Sequence, residues 1–167
     1  MKISKILATY STDKVNGHCY GDFYDDLFSK YDRNAPLNIL EIGTQKGGSL
    51  CAWQDYFPNA TITGLDIVDV VKPEYKREGI NYITCDVKDY ATGQSFDIII
   101  DDGSHFLEDV LIAVKKFKLN KGGVMVVEDV QAPDTWVAEI SKIRPVEVVD
   151  LRGINGNYDD FLIVCNS

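Results

Sequence analysis

The chain is short of positive charge and of histidine. Its 167 residues carry 17 lysines and arginines against 26 aspartates and glutamates, a net charge of −9, and only two histidines, His18 and His105. The deficit disfavours nucleic acid or an anionic membrane as partner, because neutralising phosphates needs a basic surface. It suits a neutral or cationic small molecule or a metal ion, or it does no more than keep the protein soluble. No apolar run reaches about 18 residues, so no membrane span is expected. The mixed opening Met1-Lys2-Ile3-Ser4-Lys5-Ile6 does not read as a secretory signal. The four cysteines, Cys19, Cys51, Cys85 and Cys165, contain no CxxC pair. That removes the usual zinc spacing and favours free thiols in a cytoplasmic protein over disulfides. Internal repeats and low-complexity tracts are also absent. What remains fits one domain, with 45% hydrophobic residues to build a core.

Residues 1–35 form an aromatic-rich lead-in, in which Tyr20, Tyr24, Leu27, Phe28 and Tyr31 recur at helical spacing. Two readings stand: a helix that only covers the sheet, or a lid carrying His18 and Tyr20. In residues 36–167 strand and helix alternate, which predicts βαβ units and a mostly parallel sheet. Strands are expected at Leu37–Ile42, Thr61–Asp66, Ile80–Cys85, Phe96–Ile100, Gly123–Val127, Val146–Leu151 and Phe161–Cys165. Helices are expected at Gly48–Tyr56, near Pro73–Glu78, at His105–Phe117 and at Pro133–Lys142, with Asn120-Lys121-Gly122-Gly123 as a connector. The last two strands have too short a link for a parallel crossover, so they should form an antiparallel hairpin.

Acidic residues gather at predicted strand ends. Glu41-Ile42-Gly43 follows the first strand, Asp101-Asp102-Gly103-Ser104-His105 the fourth, and Glu128-Asp129 the fifth. In open parallel sheets ligands bind at these ends. Asp66, closing the second strand, is placed to accept hydrogen bonds from a ribose diol, and Asp86, after the third, to sit at an adenine edge; both also suit plain turn residues. The loop Gly43-Thr44-Gln45-Lys46-Gly47-Gly48-Ser49 lacks the G-x-G-x-x-G spacing of dinucleotide sites. An NAD-dependent oxidoreductase is therefore the weaker enzyme reading, and a cofactor-binding partner subunit without catalysis is the non-enzymatic one.

Glu41-x-Gly43-x-x-x-Gly47, with Asp66, Asp86 and the terminal hairpin, resembles the class I S-adenosylmethionine-dependent methyltransferases. Gln45 stands where that family's common pattern has a second glycine. The resemblance implies a Rossmann-like α/β fold, a seven-stranded mostly parallel sheet ending in an antiparallel hairpin. It implies an S-adenosylmethionine site drawn from Glu41, Gly43, Gly47, Ser49, Asp66, Asp86 and Asp101, with the methionine part flanked by Gly43 and Gly47.

Adjacent fourth and fifth strands would bring Asp102, Glu128 and Asp129 together. Crowded carboxylates resist ionisation unless a cation compensates, and hard oxygen donors favour Mg²⁺, Mn²⁺ or Ca²⁺. His105, expected at a helix start where the dipole disfavours imidazolium, is placed to act as a base. An ion there would acidify an acceptor hydroxyl, His105 would remove its proton, and the oxygen would attack the sulfonium methyl. Helix capping by Asp101 or Asp102 is the plainer alternative. A narrower resemblance joins these residues to Ser11-Thr12-Asp13-Lys14, His18-x-Tyr20, Gly47-Gly48-Ser49-Leu50, Trp53 and Tyr56-Phe57-Pro58-Asn59-Ala60. Together they look like the metal-dependent sugar O-methyltransferases of macrolide and glycoside biosynthesis. That implies Mg²⁺ (or Mn²⁺) on Asp102, Glu128 and Asp129, His105 as base, and His18 and Tyr20 near the cofactor. It also implies a small-molecule hydroxyl acceptor, a sugar or glycoside, with the exact acceptor open; a homo-oligomer is compatible. Trp53 reads as core, Trp136 as either core or a sugar platform, and Asn157 and Tyr158 as solvated hairpin residues or acceptor contacts.

Overall fold

The computed structural model describes residues 1–10 and 12–167; Ser11, the first residue of the Ser11-Thr12-Asp13-Lys14 segment, lies outside the described residues. The strands are β1 (Asn38–Ile42), β2 (Thr61–Asp66), β3 (Ile80–Thr84), β4 (Ser95–Asp101), β5 (Lys118–Val127), β6 (Val146–Asp150) and β7 (Phe161–Asn166). They make one seven-stranded sheet in the order β3-β2-β1-β4-β5-β7-β6. All pairings are parallel except those of β7, which runs antiparallel to β5 and β6. The α/β fold with its terminal antiparallel hairpin is as expected. The helices are α1 (Ile3–Thr9), α2 (Asp13–Asn16), α3 (Gly21–Phe28), α4 (Gly48–Tyr56), α5 (Leu107–Lys116), α6 (Pro133–Ile140) and α7 (Arg152–Asn155). Among the described residues, no helix is long and apolar enough to cross a membrane.

The two faces of the sheet follow the period of two along each strand. Ile39, Ile98, Ile100, Val124, Val126, Leu162 and Val164 turn toward one layer, where Ile3, Leu7, Tyr24, Phe28, Leu50 and Trp53 of α1, α3 and α4 cover them. Leu40, Ile42, Ile99, Met125, Val127, Ile163 and Cys165 turn to the other, under Val110, Val114, Trp136 and Ile140 of α5 and α6. Both faces are buried, which is why the central strands are continuous apolar runs. The lead-in is thus half of one core layer.

The same parity governs the strand ends. Ile42 lies beside Asp101, and Asp101 beside Val127. The ladder runs one step further: the Asp102 amide donates to the Ile42 carbonyl and the Glu128 amide to the Asp101 carbonyl, each at 2.9 Å. Glu41, Asp102 and Glu128 therefore project on the lead-in side, and Asp101 on the α5 side.

Four local expectations are corrected. The helix expected from His105 begins at Leu107, so His105 precedes it, with a left-handed φ of 55°. Neither Asp101 nor Asp102 caps it; Ser104 Oγ instead accepts from the Phe106 amide at 3.3 Å and donates to Asp109 at 2.7 Å. The Asn120–Gly123 connector lies within β5, whose pairing with β4 shifts register there, between Phe96 and Ile98. The helix near Pro73 is a single 3₁₀ turn, Pro73–Tyr75.

Candidate active site

The order of the sheet reverses between β1 and β4, and the crevice above that point begins with Gly43. Its φ is +83°, and a Cβ there would stand 1.9 Å from the Asp102 carbonyl oxygen, so only glycine fits. Gly47, at φ +87°, is the cap residue just before α4. Asp66 fixes the loop between them: its Oδ2 accepts from the amides of Thr44 at 2.8 Å and Gln45 at 3.0 Å. Asp86 likewise holds its own turn, accepting from the Lys88 amide at 2.8 Å. Both aspartates also line a cavity of about 280 Å³, together with Gly43, Leu65, Cys85 and Asp101. A second, more polar cavity of about 430 Å³ opens on the other side of Gly43, walled by Thr12, Lys14, Gly47, Ser49 and Asp102. The turn and ligand readings of Asp66 and Asp86 are thus compatible.

Glu41 lines neither cavity and faces Ser49, which also borders the second one. Glu41 Oε2 accepts from Ser49 Oγ and from Trp53 Nε1, each at 2.9 Å. Glu41 is fully buried, and burial pushes its carboxyl up to about 7 although Lys14 opposes this. Burial likewise raises Asp101 to about 7, against a bond from the Gly103 amide.

The carboxylates expected to converge do so, and a residue that was not anticipated sits among them. Lys14, on the one-turn α2, is 1% exposed. Its Nζ donates to Asp102 Oδ2 and to Glu128 Oε2, both at 2.7 Å, and lies 3.6 Å from Glu41 Oε1. Burial works against its charge, but the fields of Asp102, Glu128 and Glu41 outweigh it and hold the ammonium protonated. Glu128 Oε1 accepts from the Tyr24 hydroxyl, so both Glu128 oxygens are engaged. Tyr24 is held by its ring, packed 5.3 Å from both Phe28 and Trp53.

Beside this buried group lies a half-open one. His105 Nε2 is 4.0 Å from Asp102 Oδ1 and 3.9 Å from Asp129 Oδ2. The ligand atoms of Asp102, His105 and Asp129 all lie within 4.8 Å of one another, a spacing one ion can span. His105 and Asp129 both hold left-handed backbone, at φ 55° and 53°. Such conformations carry a cost in non-glycine residues and gather at functional sites. Oxygen-rich donors fit a hard divalent cation.

His18 and Tyr20, expected beside the cofactor, line neither cavity; the structure puts them at Asp129. Tyr20 donates to Asp129 Oδ1 at 2.5 Å. The His18 ring stacks on Tyr20 and lies 3.7 Å from Asp129, with Asp160 behind it. Trp136 is 4% exposed and packs in the core, so it is no sugar platform. Asn157 donates to the Gly17 carbonyl at 3.0 Å and Tyr158 is exposed. Lys14 and Tyr24 were missed because each has an ordinary local explanation, a solvated lysine and a core tyrosine. The available signal was parity: three acidic side chains on a face covered by the lead-in require a buried donor from it.

No family model matches the chain. Among curated proteins it is 32% identical over 145 residues to 8-demethyl-8-alpha-L-rhamnosyl tetracenomycin-C 2'-O-methyltransferase of Streptomyces olivaceus, covering 77% of this chain and 38% of that protein. It is 33% identical over 144 residues to demethylmacrocin O-methyltransferase of Streptomyces fradiae, covering 76% and 36%. Among solved structures, the MycE methyltransferase from the mycinamycin biosynthetic pathway, in complex with Mg and SAH, matches with a TM-score of 0.70 at 24% identity, over 100% of this chain and 49% of that one. The match spans a little over a third of the curated relatives and about half of the structural one.

Proposed function

We propose that this chain, a class I methyltransferase in fold and a sequence relative of sugar O-methyltransferases, is an S-adenosylmethionine-dependent O-methyltransferase. Its acceptor would be a hydroxyl of a sugar carried on a small molecule. One observation carries the reading: His105 Nε2 faces the gap between Asp102 Oδ1 and Asp129 Oδ2, on the same sheet edge as the glycine-walled cavity.

The cofactor would lie in the cavity over β1 and β2. Asp66, through the oxygen less used by the loop, would receive the ribose hydroxyls, and Asp86 would border the base. Gly43 and Gly47 would flank the methionine end, Gly43 bordering both cavities and Gly47 the second. Glu41 acts from behind, bracing α4 against β1 through Ser49 and Trp53, so its part in cofactor binding would be indirect, while Ser49 also borders the second cavity. Asp102 and Asp129 would hold a divalent ion, with Glu128 available only where Lys14 or Tyr24 yields an oxygen. Such an ion supplies charge that draws a hydroxyl in and lowers its pKa. His105 sits within reach of a hydroxyl oriented by those carboxylates and would take its proton. Tyr20 and His18 wall the other side of Asp129 and would orient the acceptor.

The test is calorimetric and kinetic. S-adenosylmethionine should bind and NADH should not. His105→Ala should lower turnover on a sugar acceptor by about 10²–10⁴-fold, with cofactor affinity within a few-fold of the parent. Full activity in His105→Ala would remove the mechanism. The binding-subunit reading draws on Lys14, which already gives the carboxylates a cation; cofactor binding without any divalent-ion binding would select it.

A further inference from the structure

Asp102 belongs to two cation seats at once. Its Oδ1 faces His105 and Asp129, while its Oδ2 is held by Lys14. The inner seat is built from three strand ends, Glu41 of β1, Asp102 after β4 and Glu128 after β5, and Lys14 fills it. Among the described residues, the buried Glu41 Oε1 has no hydrogen-bond partner, and the Lys14 ammonium lies 3.6 Å from it. One lysine charge stands against three carboxyl groups here, with Glu41 and Glu128 buried, Asp102 11% exposed, and Asp129 beyond. Unlike a surface pair, this group is little screened by water, so the ammonium and an ion in the outer seat would repel strongly.

We infer that Lys14 is a built-in second cation of this site: it keeps the Asp102–Glu128 pair ordered without metal and sets how tightly the outer seat takes a divalent ion. The inference rests on the metal-dependent reading above. Replacing Lys14 by methionine keeps most of the volume and removes the charge. The carboxylates then have only the incoming ion to neutralise them.

The experiment titrates Mn²⁺ into wild-type protein and Lys14→Met, following affinity by calorimetry and the metal-induced shift in melting temperature. Lys14→Met should bind Mn²⁺ at least tenfold tighter, melt lower than wild type without metal, and gain more from metal. Equal or weaker Mn²⁺ binding in the variant, with normal binding in wild type, would overturn the inference alone and leave Lys14 a packing residue. No Mn²⁺ binding by either protein would overturn the metal reading and the inference with it. Should Lys14→Met fail to fold without metal, circular dichroism against Mn²⁺ decides: recovery of the fold supports the inference, and no recovery overturns it.

Discussion

His18 Nδ1 lies 2.5 Å from Asp160 Oδ1, and Asp160 is fully buried. The pair links the lead-in to the start of β7. Burial disfavours the imidazolium, but the bond to Asp160 and the nearby Asp129 outweigh it, so the His18 pKa is raised. A raised histidine contributes stability that is complete below about pH 6.5, the unfolded value, and fades as pH rises through the folded one. Asp160→Asn should bring the His18 pKa down, flatten that alkaline loss, and cost about 1–3 kcal/mol. NMR titration of the His18 ring and melts between pH 5 and pH 9 check both parts.

The Tyr24 hydroxyl is the second donor to buried Glu128. Tyr24→Phe keeps the ring packing on Phe28 and Trp53 and removes only that donor. Leaving a buried acceptor short of a partner costs about 1–3 kcal/mol. Denaturant unfolding should show that loss with an unchanged slope, since the surface buried does not change.

Asp101 gives a pH signature of the same sign as His18, at lower pH. Burial lifts its carboxyl to about 7, above an unfolded value of about 3.9. Between those values the unfolded chain releases a proton that the folded protein keeps, so this group's contribution falls as pH rises from about 4 to about 7. Asp101→Asn should flatten that part of the stability profile relative to wild type. Parallel profiles for the two proteins would show that Asp101 is ionised in the fold.

Gly43 should tolerate no side chain. In Gly43→Ala the new Cβ would meet the Asp102 carbonyl oxygen, with φ at +83° adding strain. The expected result is a loss of several kcal/mol, larger than ordinary surface substitutions, and weakened S-adenosylmethionine binding because Asp102 must shift. Melting and calorimetry on the same preparation separate the two effects.

The sheet was legible because its determinants are local. Runs such as Ile98-Ile99-Ile100 and Val124-Met125-Val126-Val127 can be satisfied only by burial on both faces, and the short link before Phe161 excludes a parallel crossover. Asp66, Asp102 and Asp129 could be placed at one edge from alternation alone. The position of His105 was less legible: a helical pattern continues back through it, and only the Ser104 bonds to Phe106 and Asp109 show that the helix starts later.

By itself, then, the sequence determined the fold class, the strand ends and the acidic character of the site, because hydrophobic period and turn chemistry act over a few residues. The tertiary structure decided which charges meet. Lys14 and Glu128 are 114 residues apart, yet their atoms lie 2.7 Å from one another. Nothing in the neighbourhood of either residue encodes that distance. It arises from the packing of α1 and α3 on the sheet, which carries the one-turn α2 over the ends of β1, β4 and β5 and places a cation where three carboxylates would otherwise repel.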